Sequence, residues 1–373
     1  MSSVYITGMG AVSCAGFGAA RLWRAVLADE SNIERGLGRV PDTAEPGASR
    51  AAFLARAAFE EALAQAGWRP APGDGLILAT TTGQIDLWEQ PLRDFFTKQT
   101  SRDALERALH HQPLGSLTET VQRELGLRGP AMLLTSACSA STQALAMAAL
   151  WIRSGAVRRC LVGGVEVLSG LTIEGFKSLQ LLSEATCAPF DSARSGINLS
   201  EGAAFFCVEG AGAREPLCEL RGWGFSSDAF HVTSPHPEGR GCFEAMNAAL
   251  KTAGIGPRDV SWVHCHGTGS AANDLSEGIA VYHLLGDTPA SSTKAIHGHA
   301  LAASGALEAV ICLSALRDGV IPPTHNLKSP DPKIPASLIR EAVRKPLDHI
   351  LKNTLGFGGN NAALVFSRAG GPA

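Results

Sequence analysis

One cysteine and two histidines in this chain stand where short apolar runs break into small residues. The cysteine lies in Leu133-Leu134-Thr135-Ser136-Ala137-Cys138-Ser139-Ala140-Ser141-Thr142. An apolar strand over Ala131 to Leu134 runs into this cluster, and a helix follows from Thr142 to Ser154. Ala137, Ser139 and Ala140 permit a sharp strand-to-helix turn and leave room for a substrate beside the sulfur. The positive end of a helix stabilises an anion, so the spacing predicts a thiolate nucleophile at Cys138. The competing reading is an inert buried thiol, the usual fate of a free cysteine.

The first histidine lies in Val263-His264-Cys265-His266-Gly267-Thr268-Gly269, where a strand delivers His266 into a glycine turn. Imidazole works near neutral pH, and the glycines let a substrate approach. Strand alternation puts His264 and His266 on one face and Cys265 on the other. Three such adjacent residues lack the loop that separates ligand pairs in zinc sites, so no metal is expected here. The second is His299, in Ser292-Thr293-Lys294-Ala295-Ile296-His297-Gly298-His299. It is expected to open a helix running to about Leu316, whose N-terminus would favour the neutral imidazole, a donor to an oxyanion. Glu308 lies among Leu307, Ala309 and Val310. That setting favours a buried pair with Lys294 over two solvated charges. A last turn, Gly356-Phe357-Gly358-Gly359-Asn360-Asn361, lacks GxGxxG and the P-loop lysine. It reads as backbone N–H groups aimed at an oxyanion, with Phe357 as a plug or gate.

The elements that must position these residues occur twice. Phe59 to Gly67 resembles Asn247 to Gly254, and each is followed by a strand and a Thr-Gly turn. The helix Gln143 to Gly155 resembles Gly305 to Gly319, and Leu161 to Gly164 resembles Leu355 to Gly359. Four matches in one order indicate two duplicated α/β halves. Residues 1–212 and 213–373 are the expected units, with a helical insertion at 85–128 in the first. Strands alternating with helices imply mainly parallel sheets, with ligands beyond the carboxyl ends of the strands. By this repeat His299 opens the helix equivalent to that of Cys138, so the two residues should face each other.

Composition narrows the function class. Hydrophobic residues make up 45% and charged residues 18% of 373, enough for a large core. The net charge of -3 gives no basic surplus for nucleic acid. No apolar run is long enough for a bilayer span, and no secretory signal opens the chain. Nine cysteines, scattered and without CxxC spacing, point to a reducing cytoplasm.

Taken together, the Cys138 turn, His266 in His-Gly-Thr-Gly, His299 in Thr-Lys-x-x-x-Gly-His and the Gly-Phe-Gly-Gly-x-Asn turn resemble the elongating β-ketoacyl-(acyl carrier protein) synthases of the thiolase superfamily. Pro189-Phe190-Asp191 with Arg194, Gly196, Glu201 and Gly202, and Asn273-Asp274 with Glu277, resemble that family too, and the likeness spans nearly the whole chain. The resemblance implies a thiolase-like α/β fold in five αβαβα layers. It implies that Cys138 takes an acyl chain from the phosphopantetheine arm of an acyl carrier protein. His266 and His299 would then hold the malonyl thioester and assist its decarboxylation. The carbanion would attack the acyl-cysteine, with the N–H groups of Cys138 and Phe357 as the oxyanion hole. Lys294 and Glu308 match the family's supporting pair, Phe357 its gate, and the insertion 85–128 should help form the acyl pocket. The resemblance implies no metal or organic cofactor, and a homodimer or a heterodimer with a related ketosynthase-like subunit.

Leu355 stands where the family usually has Phe and Asn360 where it usually has Thr, and the segment 36–49 is short. These departures favour a specialised pathway, polyketide or polyene, over housekeeping lipid synthesis. A thiolase would carry a second cysteine in the last glycine turn, and none is present in Gly356 to Ala362. Synthases that use three-carbon starters pair Cys with His and Asn, and here His299 takes the place of that Asn. A non-catalytic partner subunit of the chain-length-factor type would lack the nucleophile.

Overall fold

In the computed structural model, the described residues are 3–41, 48–213 and 215–370. Part of the short segment 36–49, one residue beside the expected 212/213 boundary and both chain ends lie outside them. The first half runs β1 (Tyr5–Ser13), α1 (Ala19–Leu27), α2 (Arg50–Ala66), β2 (Gly75–Ala79), α3 (Ile85–Phe96), α4 (Arg102–Leu109), α5 (Gly115–Leu125), β3 (Ala131–Leu134), α6 (Ala140–Arg153), β4 (Arg159–Glu166), α7 (Gly170–Ser178) and β5 (Gly202–Glu209). The second runs β6 (Cys218–Ser227), α8 (Arg240–Ala253), β7 (Trp262–His264), α9 (Ala271–Leu285), β8 (Ala290–Ser291), α10 (Lys294–His297), α11 (Ser304–Asp318), β9 (His349–Gly356) and β10 (Asn360–Ser367).

The duplication is visible in the strand order. The first half is ordered β3-β2-β4-β5-β1 and the second β8-β7-β9-β10-β6. In each, three strands are parallel and the last two antiparallel. The sheets are therefore mixed, a correction to the mainly parallel sheets expected. β9 turns straight into β10 through Phe357–Gly359, and the chain from β4 passes through α7 and re-enters at the same end of the sheet as β5, so both pairs run antiparallel. β1 and β6 pair antiparallel at Tyr5–Glu219 and Ile6–Cys218, joining both halves into one sheet, and the two-residue strand Gly16–Phe17 on β1 brings it to eleven strands.

Helix α2 starts where Ser49 caps it, its side chain accepting from Ala52 N, and ends at Gly67 with φ 64°. Its repeat α8 ends at Gly254 with φ 68°. Each lies so close to the first strand of its half that glycine is required there. A Cβ on Gly10 would come within 2.1 Å of Ala58 O, and one on Gly224 within 2.1 Å of Ala245 O. α6 and α11 form the middle layer between the half-sheets. Every residue of α11 from Ser304 to Leu316 is buried, as an apolar helix covered on all sides must be. The layers run helix, sheet, helix, sheet, helix, the αβαβα arrangement expected. No helix among the described residues is long and apolar enough to cross a membrane.

Candidate active site

The nucleophile turn is tight. β3 ends at Leu134, Ala137 takes φ 49°, and α6 begins at Ala140. Ser139 Oγ donates to Ser136 O at 2.9 Å, which closes the turn on itself. Cys138 is 3% exposed. Its Sγ lies 3.1 Å from His299 Nε2, and the backbone N–H of Phe357 is directed at the same sulfur. Burial pushes the thiol up to about 11, against the opposing pull of that N–H and of the Lys294 charge. The resting residue is thus a thiol, which corrects the expected preformed thiolate. A helix terminus cannot offset the loss of water around a buried sulfur.

His266 leaves β7 into a turn held by two buried acids of α9. Glu277 accepts from His266 N at 2.6 Å and Gly267 N at 2.7 Å. Asp274 accepts from Thr268 N, Gly269 N and Phe190 N at 3.0, 3.2 and 2.7 Å. Burial raises the Glu277 carboxyl to about 7, while those N–H donors pull the other way. Cys265 points to the opposite face, into the apolar cluster with Phe190 and Cys242.

Lys294 Nζ reaches His266 Nδ1 at 3.2 Å and His266 O at 2.7 Å. An ammonium only donates, so Nδ1 accepts and the proton of neutral His266 sits on Nε2. The His266 ring meets that of His299 edge-on, with centroids 5.2 Å apart. His299 lies between α10 and α11, its Nδ1 2.7 Å from Ser304 Oγ, its backbone N bonded to Asn198 O. It does not open a helix: α11 begins only at Ser304. Burial first, then Lys294, holds both imidazoles well below the usual histidine range. The neutral His299 expected from a helix dipole is here enforced by desolvation and a neighbouring cation.

Behind the histidines lies a buried ion cluster. Lys294 pairs with Glu308 Oε1, and Lys352 Nζ lies 2.8 Å from Glu308 Oε2. The two cations hold the Glu308 carboxyl well below its ordinary range despite burial. Thr293 Oγ1 bridges His264 Nε2 and His297 Nε2, each at 3.0 Å. Burial lowers these imidazoles to about 3 and about 4. Sequence reasoning missed Lys352 and Glu166. The signal for Lys352 was a lone charge in the apolar run His349-Ile350-Leu351-Lys352. Glu166 Oε2 accepts from Thr81 N at 2.9 Å and Ala302 N at 3.3 Å, tying the end of β4 to the start of the second half's buried helix.

A cavity of about 450 Å³ opens onto Cys138, His266 and His299, with Thr233, Thr268 and Phe357 on its walls. Phe357 stacks on Phe176 of α7, with centroids 5.5 Å apart and planes 15° apart. Leu355 also lines this cavity, and no residue of 85–128 does. α3 touches the gate indirectly: Glu89 accepts from Gly170 N and Leu171 N at 2.9 and 2.6 Å, anchoring the start of α7. Cys138, His266 and His299 bring one sulfur and two ring nitrogens within 4.8 Å of one another, a donor set that metals also use. The Lys294 ammonium against His266 opposes a second cation there.

Residues 40–212 match the family described as beta-ketoacyl synthase, N-terminal domain, and residues 217–328 its C-terminal domain. The chain is 34% identical over 334 residues to Nodulation protein E of Rhizobium meliloti (strain 1021), covering 86% of this chain and 82% of that protein. The chain belongs to the β-ketoacyl synthase family. Within that family it is also 33% identical to 3-oxoacyl-[acyl-carrier-protein] synthase 2 of Staphylococcus aureus (strain COL), over 67% of this chain and 64% of that protein. A solved structure titled "The ishigamide ketosynthase/chain length factor" superposes with a TM-score of 0.90 at 29% identity, over 98% of this chain and 99% of that one. The superposition identifies the duplicated α/β fold of this β-ketoacyl synthase as thiolase-like.

Proposed function

We propose that this chain is a β-ketoacyl-(acyl carrier protein) synthase that condenses malonyl thioesters with an acyl group carried on Cys138. The observation that carries the reading is the contact of Cys138 Sγ with His299 Nε2 at 3.1 Å on the floor of the cavity. In the first step Sγ attacks the acyl thioester of a carrier protein. The thiol proton leaves with the pantetheine sulfur, and acyl-Cys138 remains. In the second, His266 and His299 donate Nε2–H to the malonyl thioester oxygen. The carboxylate leaves as carbon dioxide, and the electron pair it releases forms the enolate. Neutral imidazoles polarise that oxygen without delivering a full proton to carbon. The enolate attacks the acyl carbon, the Phe357 and Cys138 N–H groups hold the oxyanion, and the sulfur leaves as a thiolate that takes a proton from solvent to restore the thiol. Lys294 and Glu308 support His266. The residues perform both steps without a metal or organic cofactor.

Two features support a specialised pathway. Leu355 lines the cavity and Asn360 Nδ2 donates to Phe357 O at 3.4 Å, so both departures touch the gate, and the ishigamide protein is a ketosynthase/chain length factor. The same relative supports pairing with a related ketosynthase-like subunit or a second copy. β3 is the sheet's edge beside the nucleophile turn, and its Met132, Leu133 and Leu134 are only half-buried. An apolar edge of this kind needs a covering chain. Through α7, the helices of 85–128 would set the acyl pocket beyond Phe357. All nine cysteines are free and buried, which suits a reducing cytoplasm. A chain-length-factor role alone would leave the Cys138–His299 pair without purpose. The test is intact mass spectrometry of the chain after incubation with carrier proteins bearing different acyl groups, followed by malonyl carrier protein. An acyl adduct on Cys138 that malonyl carrier protein discharges to a β-ketoacyl product is expected. No adduct with any acyl group would overturn the reading.

A further inference from the structure

Lys352 is a fully buried lysine on β9, preceded by buried Ile350 and Leu351, and the two chemical steps above do not use it. Its ammonium touches three elements. It lies 2.8 Å from Glu308 Oε2 on α11 and 3.3 Å from Thr142 Oγ1 on α6, and it hydrogen-bonds Thr354 Oγ1 on its own strand. The two threonine hydroxyls are themselves 2.9 Å apart. α11 carries Glu308, α6 follows directly on Cys138, and β9 runs into the Phe357 turn. The ammonium therefore sits where the three site-bearing elements cross.

A charge taken from water costs several kcal/mol unless partners replace the water. Here the partners give it a purpose. Glu308 has two oxygens and two cations: Oε1 faces Lys294 and Oε2 faces Lys352. With Lys294 alone, one oxygen of a fully buried carboxylate would face no cation. The carboxylate would turn to share Lys294 between both oxygens and draw it from His266 Nδ1. Two cations keep each oxygen in place and leave Lys294 a donor for the ring.

We propose that Lys352 is a positioning residue of the condensation step, a built-in counter-cation that fixes Glu308 and, through Glu308 and Lys294, the tautomer and orientation of His266. It rests on the ketosynthase reading of the site. It separates the two chemical steps. Acylation uses the sulfur, His299 and the Phe357 N–H; condensation also needs His266. Loss of the ammonium therefore spares the first and slows the second.

The experiment compares wild type with Lys352→Met, which keeps the stem and removes the charge, and Lys352→Ala, which leaves a cation-sized void. Circular dichroism checks the fold, intact mass follows acylation of Cys138, and chromatography follows the condensed product. Both variants should acylate near the wild-type rate and condense about 10- to 100-fold more slowly. Ammonium or methylammonium chloride should restore most of the rate of Lys352→Ala, and tetramethylammonium at equal ionic strength should not. Wild-type condensation by Lys352→Met, equal loss in both steps, or a folded Lys352→Ala that no small cation restores would overturn the proposal. Loss of fold in both variants would overturn it too, since Lys352 would then be structural only. A wild type that never acylates removes the ketosynthase reading itself, and the proposal with it.

Discussion

His299 Nε2 and Cys138 Sγ lie 3.1 Å apart although 161 positions separate them in the chain. One comes from each half of the duplicated fold, and the buried helices α6 and α11 bring them together. Gly305 of α11 has no room for a side chain: a Cβ there would come within 2.2 Å of Thr142 Oγ1. The chemistry follows from this pairing, and so do the predictions below.

Cys138→Ala should abolish acyl transfer from acyl carrier protein and leave the fold intact. The change removes one sulfur and creates little cavity, so the melting temperature should stay close to wild type. An acylated Cys138→Ala chain in intact mass spectra would show that another residue is the nucleophile.

Iodoacetamide should label Cys138 before the other eight cysteines, because among the nine only Cys138 lines the cavity. Its thiol is pushed up to about 11, so the reactive thiolate fraction is small at neutral pH. Labelling should speed up about tenfold for each pH unit between 7 and 9. Peptide mapping that finds a flat pH profile, or Cys265 or Cys187 labelled first, contradicts this.

His266→Ala should still acquire an acyl group on Cys138 yet lose condensation. One oxyanion donor is gone, and such losses cost about 10²- to 10³-fold. Stopped assays of carbon dioxide release separate the steps. Equal losses in acylation and decarboxylation would place His266 in both.

Phe176→Ala should loosen the gate, because Phe357 loses the ring it stacks on. Such a contact is worth about 0.5–1.5 kcal/mol, or roughly 2- to 12-fold in an equilibrium. Decarboxylation of malonyl carrier protein without an acyl primer should rise by that order. A selectivity and unprimed rate identical to wild type would mean that Phe357 does not move on this stack.

Acid should destabilise the protein through its buried histidines. The folded values of His264 and His297, about 3 and about 4, lie below the unfolded value of about 6.5. The unfolded chain therefore binds protons that the folded chain refuses. Their stabilisation is present above pH 6.5 and is lost as pH falls toward the folded values. Glu277, raised to about 7, has the opposite sign: it favours the fold at low pH and less so as pH rises through 7. His297→Gln should therefore lose less of its melting temperature than wild type between pH 7 and 5. Parallel curves would show that His297 does not carry the effect.

The sequence carried much of the site in its local grammar. A strand, a turn of small residues and a helix identify Cys138 because the backbone must turn sharply there. Ser49 and Gly67 mark the ends of α2 through their capping chemistry, and the paired motifs reveal the duplication. The protonation states were not legible. Thiolate or thiol, and the cause of a neutral His299, depend on how much water the fold removes, and burial is a property of packing. Lys352 shows as a lone charge in an apolar run, but its role does not, because its partners Glu308 and Thr142 lie far away in sequence. The antiparallel ends of each sheet escaped too, since an alternation of strands and helices does not say at which end of the sheet a connection re-enters. So the sequence alone determined which residues gather at the cavity and on which repeated scaffold. Tertiary structure decided their charge, their tautomers and the cations that hold them, because those depend on neighbours brought from the opposite half and on the exclusion of water.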